Sequence, residues 1–203
     1  MIKQEFETYL KKRSQCVNPF ILTGIKPLDE LVDGYYEGTV WIVGAWPGIG
    51  KTTLVLNLLK GLHGQRVSVF DTEMSRYRYM EKFLSLMTDI PYKEIRTNLK
   101  IQLPYILPKL SFLDSYNLHI NDKSNPTMAD IETEVKSFSP RILIVDYFQN
   151  IAVNNSQFRY AEFTAIARAL EGLTKTYGVT TVLCSQLRKP GENASKPTLF
   201  DLK

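Results

Sequence analysis

Apolar positions along the chain fall into short continuous runs separated by longer segments in which they recur every three or four residues. The runs at 40–44, 67–70, 142–145 and 179–184 have strand length and are mostly apolar, the pattern of strands covered on both faces. A shorter run at 118–120 predicts a further strand. Between them, Leu54, Val55, Leu58 and Leu59 share one helical face. Residues 75–88 and 129–138 are compatible with helices, and 158–177 carries Ile166, Ala169, Leu170, Leu173 and Tyr177 on one side. Strands alternating with helices predict an α/β fold, a mostly parallel twisted sheet with helices on both faces. At the start, Ile2, Phe6, Tyr9 and Leu10 form an apolar stripe over residues 2–13, expected to pack on the chain's own core, with a neighbouring subunit as the other option. Residues 16–20 read as a linker, because Pro19 turns Asn18 away from helix. The stretch 97–116, with Pro104 and Pro108, has no clear period.

Composition narrows the class without naming a function. The chain has 203 residues, 44% hydrophobic and 23% charged, enough to bury one sizeable core and too apolar for disorder. The net charge of +4 permits a polyanionic partner and does not demand one. Cys16 and Cys184 are too few and too far apart for a disulfide scaffold or a zinc site, which fits a reduced, cytoplasmic chain. No leader-like or membrane-length apolar segment occurs, so neither secretion nor membrane insertion is expected.

The chemistry-bearing residues follow the apolar runs. Ala45-Trp46-Pro47-Gly48-Ile49-Gly50-Lys51-Thr52-Thr53 lies between a strand and a helix, with Ala where the strict phosphate-loop pattern has Gly. In such a loop the N–H groups from Gly48 to Thr52 converge on phosphate oxygens. Lys51 neutralises their charge and the Thr52 hydroxyl reaches Mg²⁺. Asp146 ends the run 142–145, where a carboxylate either holds a metal-bound water or begins a turn. Glu73 follows the run 67–70, as a base that orients the attacking water or as a solvated acid at a helix entry. Gln186 follows the run 179–184, as a reporter of the terminal phosphate or a surface amide. Because carboxyl ends of parallel strands face one crevice, Lys51, Thr52, Glu73, Asp146 and Gln186 are expected to converge there.

Thr23-Gly24, Leu28-Asp29, Gly34, Gly38, the loop 47–53, Glu73-Met74, Ile144-Val-Asp-Tyr-Phe-Gln149 and Ser185-Gln-Leu187 together resemble, in order and spacing, the DnaB-type replicative helicases. The resemblance covers residues 21–203 as a RecA-like P-loop ATPase domain, with 1–20 as a separate helix and linker. It implies that Pro47, Gly48, Ile49, Gly50, Lys51, Thr52 and Thr53 bind ATP or another NTP. Thr52 and Asp146 hold Mg²⁺, Glu73 is the catalytic base, and Gln186 senses the γ-phosphate. Lys82 stands where the family often has Arg.

The family works as a hexameric ring that draws single-stranded DNA through its centre and cooperates with replication partners such as a primase or a loader. Its DNA-facing loops correspond here to 154–160, with Arg159, and to 187–196, with Arg188, Lys189 and Lys196. Short basic loops of this kind give sequence-independent, salt-dependent contacts, and also occur as plain solvated surface. By the same resemblance, residues 1–20 correspond to the linker helix that docks on the adjacent subunit, the family's N-terminal helical domain is absent, and the chain stops just before the segment bearing the arginine finger. A nucleotide-dependent regulatory domain of RadA-like or KaiC-like type is the alternative reading.

Overall fold

The computed structural model describes residues 2–14, 20–152 and 159–187. Helix α1 (Ile2–Ser14) comes first, followed by β1 (Phe20–Ile21), α2 (Lys26–Val32) and β2 (Tyr35–Tyr36). Next come β3 (Val40–Ala45), α3 (Lys51–Lys60), β4 (Arg66–Asp71), α4 (Arg76–Thr88), α5 (Tyr92–Thr97) and α6 (Leu99–Ile106). A 3₁₀ helix, Leu107–Ser115, leads into β5 (Asn117–Asn121), α7 (Met128–Phe138) and β6 (Ile142–Asp146). A second 3₁₀ turn, Phe148–Asn150, precedes α8 (Arg159–Tyr177) and β7 (Thr180–Gln186). Among the described residues the main sheet has five strands in the order β3-β7-β6-β4-β5, all pairs parallel.

The mostly apolar character of the central strands reflects helices on both sides. Every residue of β6 is buried. Ile142 and Ile144 point to one face, with Val67, Val69 and Val182, against Val55, Leu56 and Leu59 of α3 and Tyr79 and Phe83 of α4. Leu143 and Val145 point to the other, against Ile131 and Val135 of α7 and Ile166, Leu170 and Leu173 of α8. Helix α7 opens with a reciprocal cap, Thr127 Oγ1 accepting from Asp130 N and the Asp130 carboxylate accepting from Thr127 N, which satisfies N–H groups that a helix start otherwise leaves unpaired. Its buried Glu134 is held by a hydrogen bond from Ser68 Oγ on β4 (2.9 Å) and by His119 on β5.

The Thr23-Gly24 and Asp29 positions serve packing. Asp29 accepts from Thr23 N at 2.7 Å and Gly24 N at 3.2 Å, closing the chain over the start of α2. Gly61, just past α3, abuts this turn, and a Cβ there would lie 2.2 Å from Thr23 O. Only a residue without a side chain allows that approach.

Two expectations differ from the structure, and one segment without an assignment is now placed. The α1 stripe is not covered: Ile2, Phe6, Tyr9 and Leu10 are 56–70% exposed. On α8, Ala169 is exposed and Tyr177 is 40% exposed with its hydroxyl donating to Glu132, so the buried side is narrower than its apolar pattern. Residues 97–116 are largely helical, and Pro104 sits inside α6. Leu99, Ile101, Leu103 and Tyr105 of that helix face outward, which explains why no core-facing period marked it.

Candidate functional site

The strand–loop–helix unit from β3 to α3 turns sharply at two glycines. Gly48 has φ +79° and Gly50 φ +109°, conformations that side chains strongly disfavour. Gly50 is also the first flanking residue of α3, with no side-chain cap on that helix start. Among the described residues, the N–H groups of Gly48, Gly50, Lys51, Thr52 and Thr53 make no hydrogen bond, whereas Leu54 N donates to Gly50 O. Unpaired donors gathered at the positive end of a helix, with no Cβ-level obstruction beside Gly48, form a cradle for an anion.

The cradle is joined to the end of β6. Thr52 Oγ1 donates to Asp146 Oδ2 at 2.8 Å across 94 positions of sequence. Asp146 is 2% exposed, and burial raises its pKa against the opposing pull of the Thr52 hydroxyl and the Lys51 charge. A hydroxyl and a buried carboxylate side by side, both oxygen donors, suit a hard divalent cation such as Mg²⁺. The Asp146–Tyr147 peptide is cis.

Asp71, the last residue of β4, pairs in register with Asp146 and is 1% exposed. Its Oδ1 accepts from Glu73 N and Met74 N, both at 2.9 Å, while Oδ2 is buried with no partner among the described residues. Burial pushes the Asp71 carboxyl up to about 6, despite those two N–H groups. The turn it closes brings Glu73 out as an exposed carboxylate at the same end of the sheet.

Gln186 ends β7 beside Ala45 of β3, half-buried. Lys51, Thr52, Glu73, Asp146 and Gln186 therefore all belong to the carboxyl ends of strands or to the turns that leave them. Arg159 opens α8, its side chain outside the described residues. Arg188, Lys189 and Lys196 lie outside the described residues altogether. Lys82 on α4 lies 5.9 Å over the Tyr92 ring and adds positive potential at Asp146.

Residues 21–203 match the family model described as DnaB-like helicase C terminal domain. The chain belongs to that family. The replicative DNA helicase DnaB of Leifsonia xyli subsp. xyli (strain CTCB07) is 30% identical over 193 residues, which span 89% of this chain and 42% of that protein. DnaB of Treponema pallidum (strain Nichols) is 27% identical over 207 residues, 97% of this chain and 47% of that protein. The chain thus spans less than half the length of these relatives. Among solved structures, one ATPase domain superposes with TM-score 0.86 at 20% identity, covering all of this chain and 78% of the other. A DnaB-like replicative helicase, solved in a study of its interactions with primase, superposes with TM-score 0.83 at 21% identity over 100% and 52%. Both neighbours carry the RecA-like sheet described above.

Reading the sequence gave no role to three residues of this DnaB-like domain that tie its site together: Thr72, Asn150 and Gln149, the last noted only as part of the motif 144–149. Thr72 Oγ1 accepts from Tyr147 N and from Asn150 Nδ2, both at 3.1 Å, and the Gln149 amide bonds to Ser185 and Gln186. The available signal was positional, since all three stand within three residues beyond a predicted strand or within four of Asp146.

Proposed function

We propose that this chain is the nucleotide-hydrolysing motor domain of a DnaB-like replicative helicase, acting on single-stranded DNA as part of a hexameric ring. The observation that carries the reading is the Thr52–Asp146 hydrogen bond beside the unpaired N–H groups of the phosphate loop. In this reading Pro47, Gly48, Ile49, Gly50, Lys51, Thr52 and Thr53 wrap the phosphates of ATP or another NTP. The backbone N–H groups and the Lys51 charge hold the β- and γ-phosphates in line for displacement. Thr52 and Asp146 hold Mg²⁺, which when bound neutralises charge on the phosphate oxygens. Glu73, exposed at the mouth, orients the attacking water and takes its proton. Gln186 stands where a single side-chain amide meets the terminal phosphate.

The RecA-like motor corresponds to residues 21–203, and residues 1–20 to a separate helix and linker. The uncovered stripe Ile2, Phe6, Tyr9 and Leu10 supports an arm that docks on a second copy in the ring, because an apolar surface of that kind costs free energy in water. Arg159, Arg188, Lys189 and Lys196 supply phosphate contacts for the strand, and a primase or a loader is a further partner in the cytoplasm. The test is steady-state Mg²⁺-ATP hydrolysis with and without single-stranded DNA over a range of protein concentrations. Hydrolysis that rises with DNA, and more steeply than linearly with protein, supports an assembling motor. Intact nucleotide binding with hydrolysis that single-stranded DNA does not stimulate favours a RadA-like or KaiC-like regulatory domain instead.

A further inference from the structure

The strands β6 and β7 stop at different heights. Their pairing ends at Val145 opposite Leu183, while β7 runs on to Gln186. On its other side this extension stays paired with β3, and Leu187 N donates to Ala45 O at 3.0 Å. On the β6 side the main-chain groups of Gln186 face no strand. The Gln149 side chain satisfies both of them: Oε1 accepts from Gln186 N at 3.2 Å, and Nε2 donates to Gln186 O at 3.1 Å. Nε2 also donates to Ser185 Oγ at 2.9 Å. A primary amide carries a donor and an acceptor in one plane, as a peptide does, so Gln149 replaces the missing rung of the ladder.

The neighbouring residue ties the same turn to β4. Asn150 Nδ2 donates to Thr72 Oγ1, whose hydroxyl donates to Asp146 O at 3.2 Å. Thr72 in turn precedes Glu73. The 3₁₀ turn Phe148–Asn150 is thus a strut with one side chain on the Gln186 main chain and the next on the strand end that presents Glu73 and Asp146.

We propose that Gln149 is a positioning residue that sets the main chain of Gln186 relative to the Asp146 strand end, so that discrimination of the terminal phosphate by Gln186 depends on Gln149. The proposal rests on the reading of Gln186 as the residue that meets the γ-phosphate. Gln149 itself touches no reacting atom; it acts through the backbone of another residue. Removing the clamp frees two backbone groups of Gln186 at a half-buried strand end, where water can replace Gln149, and the single hydroxyl of Ser185, so the fold survives while the placement of the Gln186 side chain is lost.

The experiment compares the affinities of the full chain for Mg²⁺-ADP and for a non-hydrolysable Mg²⁺-ATP analogue. In wild type the ATP analogue is expected to bind more tightly. Gln149→Met keeps the bulk and removes the bonds, and is expected to lower that preference about fivefold or more, with ADP affinity unchanged and the melting temperature lowered by only a few degrees. In Gln149→Glu the carboxylate repels Gln186 O, and protonation restores a donor, so the preference returns as the pH is lowered in this variant alone. That pH-dependent return is not expected of a merely space-filling role, and it tests the clamp independently of how Gln149→Met folds. A wild-type preference in both Gln149 variants, together with loss in Gln186→Ala, overturns the clamp. Retention of the preference in Gln186→Ala, or its absence in wild type, overturns the reading of Gln186 and the proposal with it.

Discussion

Replacing Asp71 by Asn tests the electrostatics of the site through stability. The carboxyl of Asp71 is 1% exposed, and burial moves its pKa from 3.8 to about 6, with the nearby Asp146 and Glu73 charges adding to the rise. Between about pH 4 and pH 6 the native state therefore holds a proton that the unfolded chain has released, and stability falls as pH rises through that window. The interval from 3.8 to about 6, at about 1.36 kcal/mol for each pH unit, makes this contribution about 3 kcal/mol. Asn cannot ionise, and its Oδ1 still accepts from Glu73 N and Met74 N. Its Nδ2 places a donor where Oδ2 lacks a partner, a cost of about 1–3 kcal/mol that does not vary with pH. The decisive quantity is thus the pH slope. Urea unfolding of both proteins from pH 4 to pH 8, free of metal and nucleotide, should show wild type losing about 3 kcal/mol relative to Asp71→Asn as pH rises. Asp130, whose pKa is held low by Lys123 and Thr127, produces an acid-side loss of opposite sign that both proteins share and that cancels in the difference. Superimposable pH profiles would refute the reasoning.

Two further predictions concern packing. Gly61→Ala forces a Cβ to within 2.2 Å of Thr23 O, and neither backbone can yield cheaply; urea unfolding should show a loss of about 2 kcal/mol or more, and an unchanged midpoint would contradict the contact. Leu10→Asp puts a charge on an α1 side chain that is 58% exposed, so the melting temperature of dilute protein should hold while association seen by sedimentation weakens. A lowered melting temperature at low concentration would instead mean that α1 packs on its own chain.

The sheet was legible because its signals are local. A parallel strand buried on both faces is a largely apolar run, and the residues beyond it lie at one end of the sheet, so the placement of Lys51, Glu73, Asp146 and Gln186 at that end was readable from position, whereas the role of each came from the family resemblance. The outward-facing α6 was not legible, since Leu99, Ile101 and Tyr105 point away from the core and leave no core-facing period to read. The α1 stripe was legible as amphipathic, but whether the chain covers it was not. The Gln149 clamp was hidden for another reason. It joins residues 37 positions apart through one amide, and a hydrogen bond between an amide side chain and a distant backbone leaves no period or composition in the sequence.

The central claim is that the carboxyl ends of β3, β4, β6 and β7 form one Mg²⁺-nucleotide site in which Glu73 is the base. The most direct measurement is Mg²⁺-ATP affinity and turnover in Glu73→Gln beside wild type. The expected result is affinity within about twofold of wild type and turnover lower by about 10²-fold or more, the loss that accompanies removal of a general base from an intact site. Equal turnover in the two proteins, or loss of nucleotide binding in the variant, would contradict it.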